Sequence, residues 1–580
     1  MRFYRLLGAS SVLIATSLSL HAATYAVAQR DSKATDDGPG SSERPWKTIA
    51  RAAQTAGQGD LVLIGDGVYR ERVVARASGT VQNPVRFEAA PGAQVLLTGA
   101  DRLTGWKRAK GDRPIFSVAW PHRFITWSKH MTHPDDDYHR LIGRCEQVAI
   151  DNYPLRQVLE SEELAPGTFL VDTFNQVLQV WDVANRDLNR VFVEGSVRQE
   201  ILRVEGDWVQ ARGLHFRFAA NMAQHGAVVL AGAHNTFEDC VIEGMNAIGA
   251  TFSGEQQVVR RCVFRDNGQL GFGANGAHQL LFTECLVENN NTKDFDRGWE
   301  AGGDKLVLCR DAILERSRFV RNRGNGIWFD IRNEHCTVRQ CLIADNEDGG
   351  IFYEISFGLQ AHDNVIVGNG FAATSGAWGA QAGISLSSSP ECLIERNLIL
   401  GNREGFNFRE QTRTTPRIGK GPEAPVWNHD QRIQHNIIAF NRDAQIWGWF
   451  DMKDGRHWPA AGKTHNRVAT GAEPTPSERP DQPQALSLKE LRLRFEDNVY
   501  FAVPGQGWFE WGVSWGRHKS YPTLGGFQAD LGVDTGGQVL DPAFSDMSAR
   551  DYRLSRQAMD RLAQDYHKGQ IPGVVLGAQP

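Results

Sequence analysis

A short pattern of polar and apolar positions repeats along the middle of the chain, from about Phe237 to Asn441. In each copy a small or polar residue precedes a pair of mostly apolar residues, and an asparagine comes five positions after the small residue. The copies start 23 or 24 residues apart, or 32, 33 or 39 apart where loops are inserted. Helical solenoids need a 3.6-residue period, whereas these runs are short and β-rich, so each copy predicts one turn of a parallel β-helix. The copies are Cys262–Asn267, Cys285–Asn290, Ser317–Asn322, Cys341–Asn346, Asn364–Asn369, Asn397–Asn402 and Asn436–Asn441.

The repeated asparagines and cysteines predict two columns of stacked side chains. Asparagine tolerates the left-handed turn conformation, and its amide can bond to the same residue one coil away. The cysteines recur at the small position of the repeat, which favours buried free thiols over disulfides. No Cys-x-x-Cys pair is present among the eight cysteines, and we predict no metal site from them.

The remaining segments complete an all-β organisation. The first residues combine a basic start with an apolar run and small residues, which is typical of a secretory signal peptide and predicts a secreted or periplasmic protein. No later stretch is long and apolar enough to span a membrane. The predicted organisation is a signal peptide over 1–23, an N-terminal cap and first coils over 24–100, an inserted antiparallel β subdomain over 101–200, a β-helix with the catalytic face over 201–454, a Pro-rich loop over 455–490, and C-terminal coils and tail over 491–580.

Composition narrows the class of partner. The 580-residue chain has a net charge of −5 and no basic block, so a nucleic-acid partner has no electrostatic support. Sixteen tryptophans are more informative, because flat aromatic side chains commonly serve recognition.

A second short strand follows each asparagine turn, and its alternation separates inside from outside. The second and fourth positions are apolar or aromatic in nearly every copy and are expected in the core, so the third and fifth face outward. Asp330 and Glu354 then occupy the same outward position on neighbouring coils, about 4.8 Å apart at the backbone. The strands are Gly249–Ser253, Gly271–Asn275, Gly326–Asp330, Gly350–Glu354, Gly383–Ser387 and Gly405–Arg409.

Two stacked carboxylates suit acid and nucleophile chemistry. Like charges this close raise the pKa of one member, and a retaining glycosidase needs two carboxyl groups about 5–5.5 Å apart. Trp328 and Phe352, in the third position, are predicted to be exposed aromatic faces for a sugar ring. A solvated surface pair is one alternative, although like charges on neighbouring strands are unfavourable. A calcium ion that bridges the two acids is another.

Two segments beside the acids add candidate substrate-binding residues. A loop interrupts the stack directly before the Asp330 coil, and its Trp299, Glu300 and Lys305 are predicted to reach the same groove. On the other side of the pair lie Arg409 and Glu410, where the strand register leaves open which of the two side chains faces the groove.

The segment Gly326–Asp330, followed one coil later by Gly350–Ser356, resembles the catalytic segment of glycoside hydrolase family 120, which includes β-xylosidases. The resemblance implies a right-handed parallel β-helix in which Asp330 is the nucleophile and Glu354 the acid/base. It covers about thirty residues, and neither the Trp299 loop nor Arg409 and Glu410 map onto the xylosidases.

The sequence therefore predicts a secreted glycoside hydrolase that acts on a polysaccharide or oligosaccharide with retention and without a cofactor. A polysaccharide lyase or epimerase is the first alternative, in which Lys305 or Arg409 abstracts a proton from a uronate and Ca²⁺ holds the carboxylate. A non-catalytic carbohydrate-binding β-helix is the second.

Overall fold

Three long sheets run the length of the molecule. The computed structural model describes residues 22–126, 143–373, 381–410, 413–419, 425–450, 492–512, 518–546 and 551–554. Each sheet has thirteen strands, and each strand pairs in parallel with the equivalent strand of the next coil, except for the last strand of the third sheet. The predicted parallel β-helix is confirmed. Residues 1–21 of the predicted signal peptide and the predicted Pro-rich loop lie outside the described residues.

The strands of each sheet follow one another along the helix axis. The first sheet contains Thr24–Val27, Leu61–Ile64, Val85–Ala89, Val209–Arg212, Thr236–Glu238, Val258–Arg260, Leu281–Thr283, Ile313–Glu315, Thr337–Arg339, Gln360–His362, Leu393–Glu395, Arg432–Gln434 and Arg494–Glu496. The second contains Gly67–Tyr69, Val95–Thr98, Leu214–Arg217, Val241–Glu243, Val263–Arg265, Leu286–Glu288, Arg318–Val320, Leu342–Ala344, Val365–Val367, Leu398–Leu400, Ile437–Ala439, Val499–Phe501 and Gln538–Val539. The third contains Val73–Ala75, Leu202–Val204, Gly226–Leu230, Ile248–Phe252, Leu270–Asn275, Gly302–Val307, Ile327–Phe329, Ile351–Glu354, Ala382–Ser387, Glu404–Glu410, Ala444–Phe450, Phe509–Gly512 and His518–Tyr521.

Two smaller sheets project from the β-helix between its second and fourth coils. Most of their pairs are antiparallel, as in the pair of Thr168–Asp172 with Val177–Trp181. One has the strands Ala100–Arg102, Val148–Ile150, Tyr153–Pro154 and Val193–Ser196. The other has Lys107–Arg108, Ile115–Ala119, Arg156–Val158, Thr168–Asp172 and Val177–Trp181. These sheets have a separate apolar core that includes Trp106, Trp120 and Phe169.

Short elements lie outside these sheets. The helix α1 spans Ile49–Thr55, where the side chain of Thr48 caps the first turn by accepting a bond from the Arg51 backbone N–H. The apolar face of α1 packs into the N-terminal end of the main core. The remaining elements are α2 (Arg297–Glu300), α3 (Leu524–Leu531), a 3₁₀ turn (Ser161–Glu163) and two strand pairs, Arg413–Thr414 with Pro425–Val426 and Phe544–Asp546 with Asp551–Leu554.

The small side chains of the repeat form the predicted columns. The amide of each column asparagine donates to the Oδ1 of the asparagine on the next coil, with distances of 2.9–3.1 Å from Asn267 to Asn441. A glycine follows each turn because a Cβ at Gly326 would lie 2.7 Å from the amide nitrogen of Asn346. All eight cysteines are buried and free.

We expect the Asn369→Ala variant to unfold with a free energy about 2 kcal/mol lower than that of the wild type. Its Oδ1 accepts bonds from both the backbone N–H and the side-chain amide of Asn346, and its Nδ2 donates to Ile343 O and Asn402 Oδ1. Alanine leaves these buried partners unpaired. Urea unfolding measures the loss, and Asn83→Ala, at an exposed loop position, is the control. Equal losses in the two variants would contradict the stabilising role of the asparagine column.

Candidate active site

Asp330 and Glu354 occupy one column on the outer face of the third sheet. Phe329 pairs with Tyr353, and Glu354 pairs with Ser387, which in turn pairs with Arg409. The backbone N–H of Asp330 donates to Leu306 O at 2.9 Å, which continues the ladder one residue beyond the strand. Phe329 and Tyr353, which directly precede the two acids, point into the core. Both acids are largely buried, with 9% and 7% of their surface exposed.

The backbone is strained directly after each of the two acids. Ile331 has φ of 49° and Ile355 has φ of 40°, and they are the only β-branched residues with positive φ in the described ranges. A β-branched side chain is unfavourable in this region, at a cost of roughly 1–3 kcal/mol per residue. The equivalent residues of the neighbouring coils, Leu308 and Ser388, also have positive φ, so the turn conformation belongs to the repeat and the two isoleucines are where it is least favourable.

The Lys305 ammonium joins the loop before the Asp330 coil to the acids. Its Nζ lies 3.1 Å from Asp330 Oδ2 and 3.7 Å from Glu300 Oε2. It also donates to the main-chain oxygen of Trp299 at 3.3 Å and lies 4.2 Å from the centre of the Trp328 ring. The structure thus brings the predicted residues Trp299, Glu300 and Lys305 together at Asp330.

Glu300 is held in place by a residue that the sequence analysis did not single out. Gln224 Nε2 donates to Glu300 Oε2 at 2.6 Å. Burial raises the pKa of Glu300, and the nearby Asp330 charge adds to this, while Lys305 and the bond from Gln224 act in the opposite direction. No repeat position marks Gln224, because it belongs to a loop three coils away.

The prediction that Trp328 and Phe352 are exposed is wrong. Both side chains face outward, in a cluster apart from the core, but only 3% and 0% of their surfaces are accessible. Their ring centres lie 5.6 Å apart. Lys305, one coil away, covers the first ring, and the Arg409 guanidinium, two coils away, lies 5.6 Å from the centre of the second, so a cation shields each ring.

The strand register distinguishes Arg409 from Glu410. Arg409 pairs with Ser387 and so continues the column of Asp330 and Glu354. The backbone of Glu410 pairs with Phe450, but its side chain lies outside the described residues.

The same sheet carries two further buried carboxyl groups, Asp304 and Glu404. Glu404 begins the Glu404–Glu410 strand, and its Oε2 accepts a bond of 2.7 Å from Asn407 Nδ2. Asn407 Oδ1 in turn accepts from Ser385 Oγ at 3.3 Å. Glu404 lies one residue before the glycine at the first position of the repeated strand. It is therefore outside the five positions in which Asp330 and Glu354 align. Burial raises its pKa to about 7, although the bond from Asn407 opposes this.

We expect the Glu404→Gln variant to gain about 3 kcal/mol of stability relative to the wild type when the pH is raised from 4 to 8. The folded state holds the Glu404 proton up to about pH 7, whereas the unfolded state releases it near 4.5, so the wild type loses stability as pH rises through this window. Glutamine keeps the bond from Asn407 and carries no charge. Denaturation curves at several pH values measure the difference, with Glu205→Gln, at an exposed position, as the control. Parallel pH profiles for wild type and Glu404→Gln would contradict the assignment.

Comparisons with known proteins agree on the fold. A family model described as a right handed beta helix region matches residues 225–399. The solved structure of XylC in complex with xylose superposes with a TM-score of 0.64 and 16% identity, over 90% of this chain and 87% of that chain. A mannuronic acid specific family 6 polysaccharide lyase from human gut microbiota aligns over 94% of this chain and 97% of that chain, with 12% identity and a TM-score of 0.43. The family model and the XylC superposition confirm the predicted right-handed parallel β-helix.

A match to a curated protein covers a short segment. The uncharacterized protein YwoF of Bacillus subtilis (strain 168) is 33% identical over 64 residues, which is 11% of this chain. The match spans 14% of the length of that protein.

Two features of the described residues concern a membrane or a metal ion as a partner. None of the helices in the described ranges is long and apolar enough to cross a membrane. Within the same ranges no group of three or more His, Cys, Asp or Glu side chains is arranged to hold a metal ion.

Proposed function

We propose that the protein is a carbohydrate-active enzyme, and specifically a glycoside hydrolase that acts with retention of configuration. The observation that carries the proposal is the pair of largely buried carboxyl groups, Asp330 and Glu354, in one outward column on adjacent coils. Adjacent coils lie about 4.8 Å apart, which suits the spacing of about 5–5.5 Å that retaining enzymes use.

The reaction divides between the two acids. Asp330 attacks the anomeric carbon while Glu354 gives its proton to the leaving oxygen, which breaks the glycosidic bond and leaves a glycosyl ester on Asp330. Glu354 then takes a proton from water, and the water oxygen displaces Asp330 from the sugar. The Lys305 ammonium, 3.1 Å from Asp330, offsets the negative charge of the nucleophile. Glu300 and Trp299 place that ammonium.

The contacts of Lys305 argue against its use as a lyase base. A base must have a lone pair free to take a proton from the substrate, whereas Lys305 Nζ is held by ion pairs with Glu300 and Asp330 and by a bond to the main-chain oxygen of Trp299. The similar structure of XylC contains xylose, and this supports our proposal that the substrate of this protein is a sugar. We also propose that the protein is exported and that the reaction needs no cofactor.

The test is a panel of aryl glycosides and of plant and algal polysaccharides, assayed with the wild-type protein. We expect released reducing sugar, no unsaturated ultraviolet-absorbing product, and the same rate with and without a chelator. A lyase would make the absorbing product and lose its activity with chelator. Binding of polysaccharide without any product would identify a non-catalytic protein.

A further inference from the structure

One carboxyl group interrupts the apolar core behind the third sheet. Asp304 pairs with Phe272 on the preceding coil, and Phe272 pairs in turn with Ala250. Both of these neighbours belong to the main apolar core, and Asp304 is itself fully buried. The equivalent residues on the following coils are apolar, namely Ile327, Ile351, Ile384, Phe406, Ile446 and Phe509. Along the described coils, Asp304 is thus the one carboxyl group of an apolar column.

The Asp304 side chain enters the main-chain ladder between two coils. Its Oδ1 accepts a bond of 3.0 Å from the backbone N–H of Trp328. Among the described strands, the pairing of these two coils includes Leu306 with Phe329 but neither Asp304 nor Lys305. The carboxyl group therefore occupies an N–H that a regular parallel ladder pairs with a main-chain oxygen.

This arrangement is unfavourable for stability alone. Asp304 Oδ2 is buried and has no hydrogen-bond partner. Burial also raises the pKa of Asp304 well above its usual range, although the bond from Trp328 opposes this. An apolar side chain at this position would bury no unpaired polar atom and would leave the Trp328 N–H to the main chain. A role other than stability is therefore indicated.

The contact on the outer side of this opening is the one that holds the Lys305 ammonium. Lys305 directly follows Asp304 and faces outward, with its Nζ 3.1 Å from Asp330 Oδ2. The same Nζ lies 4.2 Å from the centre of the Trp328 ring. Asp304 is thus connected to both partners of this contact, to Lys305 through the shared peptide bond and to Trp328 through its N–H.

We propose that Asp304 is a positioning residue for the candidate active site. By binding the Trp328 N–H from inside the β-helix, it sets the place of the Trp328 ring and hence that of the Lys305 ammonium beside Asp330. Its own carboxyl group faces the core and does not touch the substrate. The effect on hydrolysis rests on the proposed function, whereas the effect on the Lys305 ion pair does not.

The first measurement is a double-mutant cycle in urea unfolding at pH 7, which needs no substrate. Asp304→Leu keeps the branched shape but lacks the acceptor, and it should be at least as stable as the wild type. In this background Lys305→Met should cost no more than about half of what it costs in the wild type, because the ammonium is no longer held at Asp330. In Asp304→Asn, which keeps an acceptor oxygen, the cost of Lys305→Met should equal that in the wild type. Equal costs in the wild type and in Asp304→Leu would overturn the proposal.

The second measurement is the steady-state rate with the best glycoside of the panel. Asp304→Leu should lower kcat by about tenfold or more with little change in KM, because a displaced ammonium affects the reacting carboxylate more than it affects binding. Asp304→Asn should restore most of the rate. Ile446→Leu changes the side-chain shape in the same core column, five coils farther along, and is the matched control that should leave kcat unchanged.

The two measurements separate this role from the proposed function. If the protein hydrolyses no glycoside of the panel, the unfolding cycle alone decides whether Asp304 positions Lys305. If the wild type is active and Asp304→Leu has the same kcat, the positioning role is refuted. Should Asp304→Leu not fold, Asp304→Ala, which also lacks the acceptor, takes its place in both measurements with the same expected results.

Discussion

Glu354→Gln is expected to lower the rate of hydrolysis of an unactivated glycoside by roughly 10²–10⁴-fold. The variant has no proton to give to the leaving oxygen, while Asp330 remains able to attack. A substrate with a strongly acidic leaving group, such as a dinitrophenyl glycoside, needs no such proton. Its first step should therefore be almost unaffected, so that a burst of dinitrophenol precedes a slow steady rate. Stopped-flow measurements with the two substrates test both the lower rate on the unactivated glycoside and the burst with the dinitrophenyl glycoside.

Asp330→Asn is expected to behave differently, since it removes the nucleophile. With both activated and unactivated substrates, the rate of Asp330→Asn should fall by at least the factor that Glu354→Gln shows with the unactivated substrate. No burst should appear. Glu395→Gln, an acid at the end of a strand on the first sheet, is the control and should match the wild type. Full activity in either active-site variant would refute the assignment of its residue.

Lys305→Met is expected to lower the free energy of unfolding by about 4 kcal/mol at pH 7, because it leaves the carboxylates of Glu300 and Asp330 largely buried without their shared cation. The loss should shrink as the pH falls. Burial already raises the pKa of Glu300, and protonation of that group in the folded state removes one of the two uncompensated charges. Guanidinium unfolding at pH 5 and pH 8 measures the change.

Two further variants separate this cause from a general packing defect. Adding Glu300→Gln to Lys305→Met removes one uncompensated charge and should restore part of the stability, whereas a packing defect would persist. Lys519→Met removes a more exposed ion pair, with Asp530 at 2.6 Å, and should cost less than about 1 kcal/mol. Equal losses at the two lysines would contradict the electrostatic explanation.

The fold could be predicted from the sequence because the β-helix repeats one structural unit. Each coil has a small residue followed five positions later by an asparagine, as at Cys341 and Asn346, and this pair of positions returns every 23 or 24 residues except where a loop is inserted. The alternation of each strand then separates Phe329, inside, from Asp330, outside. Both predictions depend only on local periodicity, and the structure agrees with them.

The surroundings of the acids could not be predicted in the same way. The burial of Phe352 depends on Arg409, two coils along the stack, and the placement of Glu300 depends on Gln224, from a loop without a repeat. Loop contacts of this kind leave no periodic signal in the sequence. The roles of Asp330 and Glu354 stay predictions until they are measured.

The most direct test of the central claim is to trap the glycosyl-enzyme. A 2-deoxy-2-fluoro glycoside with a good leaving group, chosen from the best substrate of the panel, slows the second step more than formation of the ester and so accumulates it. Digestion and mass spectrometry should then find the fluorosugar on the peptide that contains Asp330, and at no site in Asp330→Asn. An adduct on another carboxylate, or turnover of the natural substrate with inversion and no adduct, would contradict the account.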